Sequence, residues 1–296
     1  MNIQKKIITL LSISLFISFL PLKAQEEFAQ ADTIKIRFKE YTIKKYYHAA
    51  QGVHLAEVFQ NDQRVYSLIA QKASHIQFVA INDKYTYDIN RDSVHNFIFQ
   101  EYIPGEKDTF VWHILHLGKF EFKLLDKIQA AYTTPWLSDF GNDGTYEIIL
   151  TDYTFINWNA SYLDSPFEKI ILRFQDDHYQ IDTSLMRKSE FSYPESLAAE
   201  IREGMRVFYE ESISTYPYKV ETLGGKPEQR WGFISPKLWG TMLSLIYQGK
   251  GESAWEFLNQ AWYEKIDGKG MFVYDFKNQL SKSPYWEIIS QMNSWP

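Results

Sequence analysis

One stretch, KIILRFQDDHYQI at residues 169–181, decides the fold class. Its β-branched and aromatic residues predict two strands, Lys169–Phe174 and His178–Ile181. Asp176-Asp177 separates the two strands, and Asp tolerates the positive φ angles that a tight hairpin turn requires. The stretch therefore predicts an antiparallel β-hairpin.

Similar hairpins are predicted earlier in the chain. They pair Val53–Phe59 with Arg64–Ile69 around Asn61-Asp62, Ile76–Ile81 with Lys84–Ile89 around Asn82-Asp83, and Phe110–His116 with Lys119–Leu125 around Leu117-Gly118. Before them, Ile34, Ile36 and Phe38 alternate with basic residues at the period of a strand. Hairpins in series predict an antiparallel meander, arranged as a sandwich, a barrel or a partial propeller-like sheet.

Two of these hairpins share a pattern. Residues 111–122 and residues 169–180 both consist of an apolar strand, a turn and an alternating strand. The similarity indicates either a weak internal repeat or the likeness that any two hairpins have, and the sequence leaves both interpretations open.

The hydrophobic period changes from strand-like to helical after Ser189. The helix signals are a Ser192-to-Glu195 capping box, apolar residues at helical spacing, Pro236 and Pro284 at helix starts, and Gly249 and Gly251 between two helices. A long aromatic loop at 215–234 lies between the helices, and loops of this length are often functional. The sequence thus predicts an α+β protein with a β domain at 25–189 and a small helical domain at 190–296.

The first 24 residues have the pattern of a secretory signal peptide. Lys5 and Lys6 precede an apolar run at 7–20, and Ala24 offers a small residue for cleavage. A 14-residue helix is about 21 Å long, too short for a ~30 Å hydrocarbon core. The end of the segment resembles the signal-peptide ends of secreted Bacteroidota proteins. We therefore expect a secreted or periplasmic protein with no transmembrane segment after cleavage.

Charge and cysteine content narrow the functional classes. Loss of Lys5, Lys6 and Lys23 lowers the net charge from −6 to −9, which argues against nucleic-acid binding. The chain has no cysteine, which excludes disulfides, zinc-thiolate sites and a cysteine nucleophile. An exported chain of this kind depends on its core for stability.

Acidic and glycine residues alternate in DFGNDGTYE at residues 139–147, directly before the apolar Ile148-Ile149-Leu150. The segment resembles the calcium loop of FG-GAP and VCBS-type repeats, in which Asp-x-Asn-Gly-Asp-Gly-x-x-Asp/Glu precedes a strand. The resemblance implies one structural calcium ion and a set of ligands. These are Asp139, Asn142, Asp143, Thr145 through its carbonyl, and Glu147 as the closing carboxylate.

The segment departs from the family pattern at one point. Gly141-Asn142 reverses the expected order, so one side-chain ligand is displaced by a residue. Asn142 or a water would then fill the position, or the segment is a structural hairpin that Asp143-Gly144 forms by itself. Asp88-Ile89-Asn90-Arg91-Asp92 has similar acidic spacing without the following Gly, and we interpret it as a turn.

Aromatic side chains are the other candidate binding groups, because their flat apolar faces can stack on sugar rings. The candidates are Trp136, Trp158, Tyr218 and Trp231, and the alternative for each tryptophan is core packing. His113 and His116 are three apart on a predicted strand, so they point to opposite faces and do not share a metal. The sequence contains no metalloprotease or Gly-x-Ser-x-Gly motif.

Two functions follow as hypotheses. The first is an exported, non-enzymatic binding or structural protein of the bacterial envelope, whose partner is a protein or a glycan. The second is a periplasmic hydrolase of polysaccharide or peptidoglycan, with its site at the β/α junction near the 215–234 loop. A pair of carboxylates in a deep cleft would favour the hydrolase, and an aromatic patch without a perturbed acid would favour binding.

Overall fold

Strands fill the N-terminal part of the chain and helices the C-terminal part, which confirms the predicted α+β class. The structure is a computed structural model that describes residues 33–48, 51–70, 73–81, 84–188, 191–215 and 230–295. The predicted signal peptide, Tyr218 and most of the 215–234 loop lie outside these residues. The strands form three open antiparallel sheets, so there is no closed barrel among the described residues.

Sheet I contains four consecutive strands, each antiparallel to the next. They are β1 (Ile34–Phe38), β2 (Tyr41–His48), β3 (Val53–Gln60) and β4 (Gln63–Ile69). Asn61 and Asp62 form the β3–β4 turn with positive φ angles of 47° and 64°. The conformation that Asn and Asp tolerate therefore sets this hairpin, as the sequence predicts.

Sheet II follows directly in the chain. Its strands are β5 (His75–Phe78), β6 (Thr86–Tyr87), β7 (Asn96–Ile103), β8 (Thr109–Leu117) and β9 (Phe122–Ala131). Of the predicted hairpin of Ile76–Ile81 with Lys84–Ile89, the described residues contain one antiparallel bridge, Ile81–Lys84, and its Asn82-Asp83 turn lies outside them. The strands β5 and β6 pair with β7 rather than with each other. The eight-residue β7 is long enough to pair with both short strands, end to end along one edge.

Sheet III completes the β part and contains the predicted hairpin at residues 169–181. Its strands are β10 (Trp136–Ser138), β11 (Glu147–Asp152), β12 (Glu168–Gln175) and β13 (His178–Ile181). Asp176 and Asp177 form the β12–β13 turn with φ angles of 50° and 68°, which confirms the prediction.

Six helices follow the sheets in the described residues. They are α1 (Thr183–Lys188), α2 (Leu197–Thr215), α3 (Lys237–Tyr247), α4 (Gly251–Ala261), α5 (Lys269–Leu280) and α6 (Trp286–Met292). The predicted capping box at Ser192 is wrong: α2 begins at Leu197, and the Ser196 hydroxyl bonds to Glu200 at 2.5 Å instead. Helix α5 was not among the predicted helices; its Phe272, Phe276 and Leu280 are buried at four-residue spacing.

The sheets and the helices form successive layers. Phe97 and Phe99 of β7 pack with sheet I in one core, whereas Ile98 between them belongs to the core formed with sheet III and the helices. Sheet II is therefore buried on both faces, as the period-two alternation of side chains requires. Helices α1 and α3 contact β12, so the larger core crosses the predicted domain boundary at 189–190.

We expect Ile148→Ala to lower the free energy of unfolding by about 2–5 kcal/mol, because Ile148 is fully buried at the centre of this layered core. Ile34→Ala is the matched control: Ile34 is 46% exposed, and the change should cost less than about 0.5 kcal/mol. Urea unfolding measures both values. Similar losses in the two variants would contradict the layered core.

Candidate functional site

The predicted calcium loop connects β10 to β11, and its first carboxylate binds the backbone of the loop. Asp139 Oδ1 accepts the Asp143 N–H at 3.0 Å, and Asp139 Oδ2 accepts the Gly144 N–H at 3.0 Å. Asn142 and Gly144 have positive φ angles of 51° and 80°, which bend the chain around the carboxylate. Both carboxylate oxygens of Asp139 thus stabilise the turn by accepting backbone hydrogen bonds.

In Asp143 and Glu147, two other predicted ligands, one carboxylate oxygen bonds to the backbone and the other faces a basic side chain. Asp143 Oδ1 accepts the Thr145 N–H at 2.9 Å. Glu147, which is fully buried, accepts the N–H groups of Phe140 and Gly141 on Oε2 at 2.8 and 3.2 Å. The remaining oxygens, Asp143 Oδ2 and Glu147 Oε1, face the guanidinium of Arg173 on β12.

Arg173 occupies the centre of the predicted ion site. Its Nη2 bonds to Asp143 Oδ2, its Nε lies 3.5 Å from Glu147 Oε1, and its Nη1 lies 3.8 Å from Asp182 Oδ2. The pKa of Asp143 is below its usual value because the Thr145 N–H bonds to the carboxylate and Arg173 is adjacent. A protein side chain therefore supplies the positive charge that the resemblance assigns to calcium.

The residues in this arrangement do not fit a calcium ion. Ca²⁺ takes six to eight oxygen ligands at about 2.3–2.6 Å. Here the backbone and Arg173 use the carboxylate oxygens, and Asn142 lies exposed on the turn. No group of three or more His, Asp or Glu side chains that could hold a metal ion occurs in the described part of the chain.

The loop has a structural copy 51 residues earlier, at Asp88 to Asn96, which we interpreted as a turn. Asp88 accepts the N–H groups of Asp92 and Ser93 at 3.1 and 2.9 Å, and Asp92 accepts that of Val94 at 2.8 Å. Asn96, fully buried like Glu147, accepts the Ile89 N–H at 3.1 Å. Each of these bonds has a counterpart at the same spacing in the later loop.

The strands around the two loops are equivalent as well. Asn96 pairs with His116 across β7 and β8, in the arrangement that brings Arg173 beside Glu147 in sheet III. His116 Nδ1 lies 3.5 Å from Asp92 Oδ2, as Arg173 lies beside Asp143. The hairpins at 111–122 and 169–180 thus occupy the same position in consecutive sheets. This geometry favours the internal repeat over a chance likeness.

The two loops also contact each other across the sheet II–sheet III interface. The Tyr146 N–H donates to the Ile89 carbonyl at 2.8 Å, and the Arg91 guanidinium bonds to the Asp143 carbonyl. These bonds fix one copy of the loop against the other. The pair therefore joins the two sheets.

The predicted aromatic ligand-binding residues do not come together. Trp158 and Trp231 are 2% and 0% exposed in the core, and the Trp231 Nε1–H donates to Asp275 at 2.9 Å. Neither ring presents a face to solvent. Trp136 is 38% exposed, with the Lys169 ammonium 6.0 Å from its ring centroid, and Tyr218 lies outside the described residues.

The structure contains a cleft at the β/α junction that the sequence analysis missed. We call it the tyrosine cleft; it has a volume of about 660 Å³, and its walls include Tyr132, Tyr153 and Tyr285. The Tyr132 and Tyr153 rings are 5.1 Å apart, and Tyr132 has a φ of 66°, which is rare for an aromatic residue. Polar side chains complete the lining, among them Lys107, Gln129, Gln279 and Lys282.

The lining of this cleft includes a buried carboxylate, Asp152. Asp152 Oδ1 accepts the Thr154 N–H and hydroxyl at 2.8 and 2.5 Å, and Oδ2 accepts the hydroxyls of Tyr247 and Ser283, both at 2.5 Å. These bonds tie the end of β11 to α3 and to the segment before α6. Both carboxylate oxygens are thereby engaged with protein donors.

Glu168 is the cross-strand partner of Asp152. It accepts the Ser244 hydroxyl at 2.6 Å. Burial raises the pKa of Glu168 to about 7, and the negative charge of Asp152 adds to the rise. The pair of carboxylates is thus present at the β/α junction, but Glu168 is not among the residues that line the tyrosine cleft.

Comparisons with known proteins assign neither a family nor a function to this chain. No family model, no curated protein and no solved structure matches this chain. Among the described residues, no helix is long and apolar enough to cross a membrane. Functional arguments therefore rest on the geometry of the chain itself.

We expect the stability of the protein to fall as pH rises from about 4.5 to 7, in the part that Glu168 contributes. The folded-state pKa of about 7 lies above the ordinary value of 4.5, so the folded chain holds the proton longer than the unfolded chain does. Ionised Glu168 then costs up to about 3 kcal/mol above pH 7.

Glu168→Gln measures this contribution, because glutamine keeps the shape and the Ser244 contact without the charge. Thermal unfolding of both proteins between pH 4.5 and 8 should show the variant gaining stability relative to the wild type as pH rises. A constant difference across that range would contradict the raised pKa.

Proposed function

We propose that this protein is an exported, non-enzymatic binding protein of the bacterial envelope, and that its tyrosine cleft binds a saccharide. The observation that supports this proposal is the aromatic wall of the cleft. Tyr132 and Tyr153 lie side by side on it, and Phe167, 57% exposed, continues the row 5.6 Å from Tyr153. A row of rings with an exposed end suits an extended ligand.

The lining matches the two kinds of surface that a sugar presents. A pyranose ring has a face of C–H groups that stacks on an aromatic ring, and hydroxyls that need hydrogen-bond partners. Gln129 offers an amide donor and acceptor, and Lys107 offers an ammonium donor. Gln279 donates to the Thr154 carbonyl and accepts from Lys282 at 2.9 Å, which leaves the other N–H groups of the Lys282 ammonium for a ligand. The cleft therefore suits a neutral or acidic saccharide.

The state of Asp152 favours binding over hydrolysis. Each of its oxygens accepts two bonds from protein groups, which leaves the carboxylate poorly placed as a nucleophile or a base. Export rests on a separate line of support, the signal-peptide pattern of residues 1–24. An envelope glycan is the saccharide that such a protein would meet.

We expect Tyr132→Ala and Tyr153→Ala each to weaken saccharide binding about tenfold, the effect of losing one stacked ring. The probes are soluble peptidoglycan fragments and bacterial surface polysaccharides, and isothermal titration calorimetry measures their affinity. Tyr274→Ala is the matched control, because this tyrosine is 66% exposed on α5 and is not among the residues lining the cleft.

The comparison of variants distinguishes binding in the cleft from nonspecific binding elsewhere on the surface. Binding by the wild type, retained in Tyr274→Ala and lost in the two cleft variants, would support the proposal. Binding that all three variants retain would place the ligand elsewhere. No binding to any of the probes would count against saccharide as the ligand class.

The Asp152–Glu168 pair supports a second candidate, hydrolysis of polysaccharide or peptidoglycan. A carboxylic acid whose pKa is raised to about 7 beside a second carboxylate is the pattern of a general acid. If the pair is catalytic, the wild type should release reducing ends from the same probes and lose activity above pH 7, and Glu168→Gln should be inactive. Probes that bind and remain intact would exclude this candidate for them.

A further inference from the structure

Two ammonium groups line the tyrosine cleft without an acidic partner. Lys107 and Lys282 both belong to its walls, and neither forms an ion pair with another residue in the described part of the chain. Lys107 is exposed in the segment between β7 and β8, and Lys282 follows α5. The sheet side and the helical side of the cleft therefore each contribute one positive charge.

A neutral side chain holds the Lys282 ammonium at the wall of the cleft. Lys282 Nζ donates to Gln279 Oε1 at 2.9 Å, and Gln279 Nε2 donates to the carbonyl of Thr154, which also lines the cleft. An ammonium that is positioned by an amide keeps its full charge for a ligand, because no carboxylate neutralises it. This contact orders the lysine without using its charge.

The negative charge of the lining is withdrawn from the surface. Asp152, the acidic residue of the lining, is 5% exposed, and Thr154, Tyr247 and Ser283 donate four hydrogen bonds to its oxygens. These donors turn the positive ends of their dipoles toward the carboxylate and offset its potential. Burial raises the pKa of its strand partner Glu168 to about 7, so Glu168 carries only part of a charge at neutral pH. The exposed charge of the lining is therefore positive.

We propose that the saccharide bound in the tyrosine cleft is anionic and carries carboxylate groups on its sugars, a proposal that rests on the saccharide-binding function above and adds the charge of the ligand. Tyr132 and Tyr153 would stack on the sugar rings, and the ammonium groups of Lys107 and Lys282 would bind the carboxylates. A neutral sugar offers these ammonium groups hydroxyl oxygens only. Hydrogen bonds between two charged partners are about twice as strong as those between neutral ones.

The positive charge continues along the aromatic row outside the cleft. Phe167 extends that row 5.6 Å from Tyr153, and Lys169 follows it two residues later. Lys169 pairs across β11 and β12 with Thr151, which lines the cleft, and its ammonium lies 6.0 Å from the ring centroid of Trp136. A saccharide chain that leaves the cleft past Phe167 would therefore meet a third ammonium group.

The experiment compares acidic oligosaccharides with their own methyl esters, which keep the sugar rings and lack the charge. The probes are oligogalacturonate and oligoalginate, and isothermal titration calorimetry measures the affinity of each form at low and at high salt. Lys107→Gln, Lys282→Gln and the double variant remove the ammonium groups, whereas Lys282→Arg keeps the charge. Lys35→Gln is the matched control, because Lys35 is exposed on β1 of sheet I and is not among the residues lining the cleft.

We expect the wild type to bind the acids about tenfold more tightly than the esters at low salt, and the difference to shrink at high salt as the charges are screened. Each single lysine-to-glutamine substitution in the cleft should reduce this preference about threefold, the effect of losing one exposed ion pair. The double variant should bind acid and ester equally. Lys35→Gln and Lys282→Arg should retain the preference.

Two results would overturn the proposal while leaving saccharide binding in place. One is equal affinity of the wild type for acid and ester, and the other is a preference for the acid that survives in the double variant. Failure of the proposed function gives a different pattern: either no probe binds in either form, or Tyr132→Ala and Tyr153→Ala leave the binding of both forms unchanged. The proposed charge of the ligand would then be overturned together with the saccharide.

Discussion

The guanidinium of Arg173 joins three parts of the chain that are distant in sequence. Through Asp143 it holds the loop before β11, through Glu147 the start of β11, and through Asp182 the start of the helical region. These contacts differ in energy. The exposed contact to Asp143 contributes little, whereas a fully buried Glu147 left without a cation would cost about 3–5 kcal/mol. The buried carboxylate therefore makes the arginine indispensable to this corner.

The two matching loops lie in successive sheets, and the helical region packs on the second of these sheets. Sheets II and III carry the same loop, the same strand register and a basic residue at the same place. The apolar outer face of the last sheet must be covered, as terminal repeats are in proteins built from stacked repeats. Here α1 and α3 pack on β12 and close that face. The helical region acts as a cap on the last sheet and shares its core.

Turns that depend on local conformation could be predicted from the sequence. Asn61-Asp62 and Asp176-Asp177 adopt positive φ because their own side chains tolerate it. Strand pairing that depends on residues distant in sequence could not be predicted in this way. The strands β5 and β6 lie next to each other in sequence, yet both pair with β7. The α+β class followed from the spacing of apolar residues along the sequence. The order of strands within sheet II could be seen only in the tertiary structure.

The candidate site, too, was predictable only in part. The acidic spacing at 139–147 located a real, carboxylate-organised loop, but the sequence could not show that Arg173 would fill its centre, because the two meet only through β-pairing of β11 with β12. The signal that was available is the equal spacing of two acidic loops 51 residues apart, each followed by a hairpin with a basic residue. The tyrosine cleft had no such signal, since its residues come from β9, β11 and the segment before α6.

The chemistry of the β/α junction depends on which groups hydrogen-bond to the Asp152 and Glu168 carboxylates. Asp152 Oδ2 ties β11 to Tyr247 and Ser283 of the helical region, and Glu168 bonds to Ser244 of α3. Asp152 lines the cleft with both oxygens bonded to protein donors, and the other lining groups include tyrosine rings, amides and ammonium groups. In proteins generally, such side chains contact hydroxyls and flat apolar faces. The same bonds that attach the helical region to sheet III therefore leave Asp152 with both oxygens engaged at the cleft.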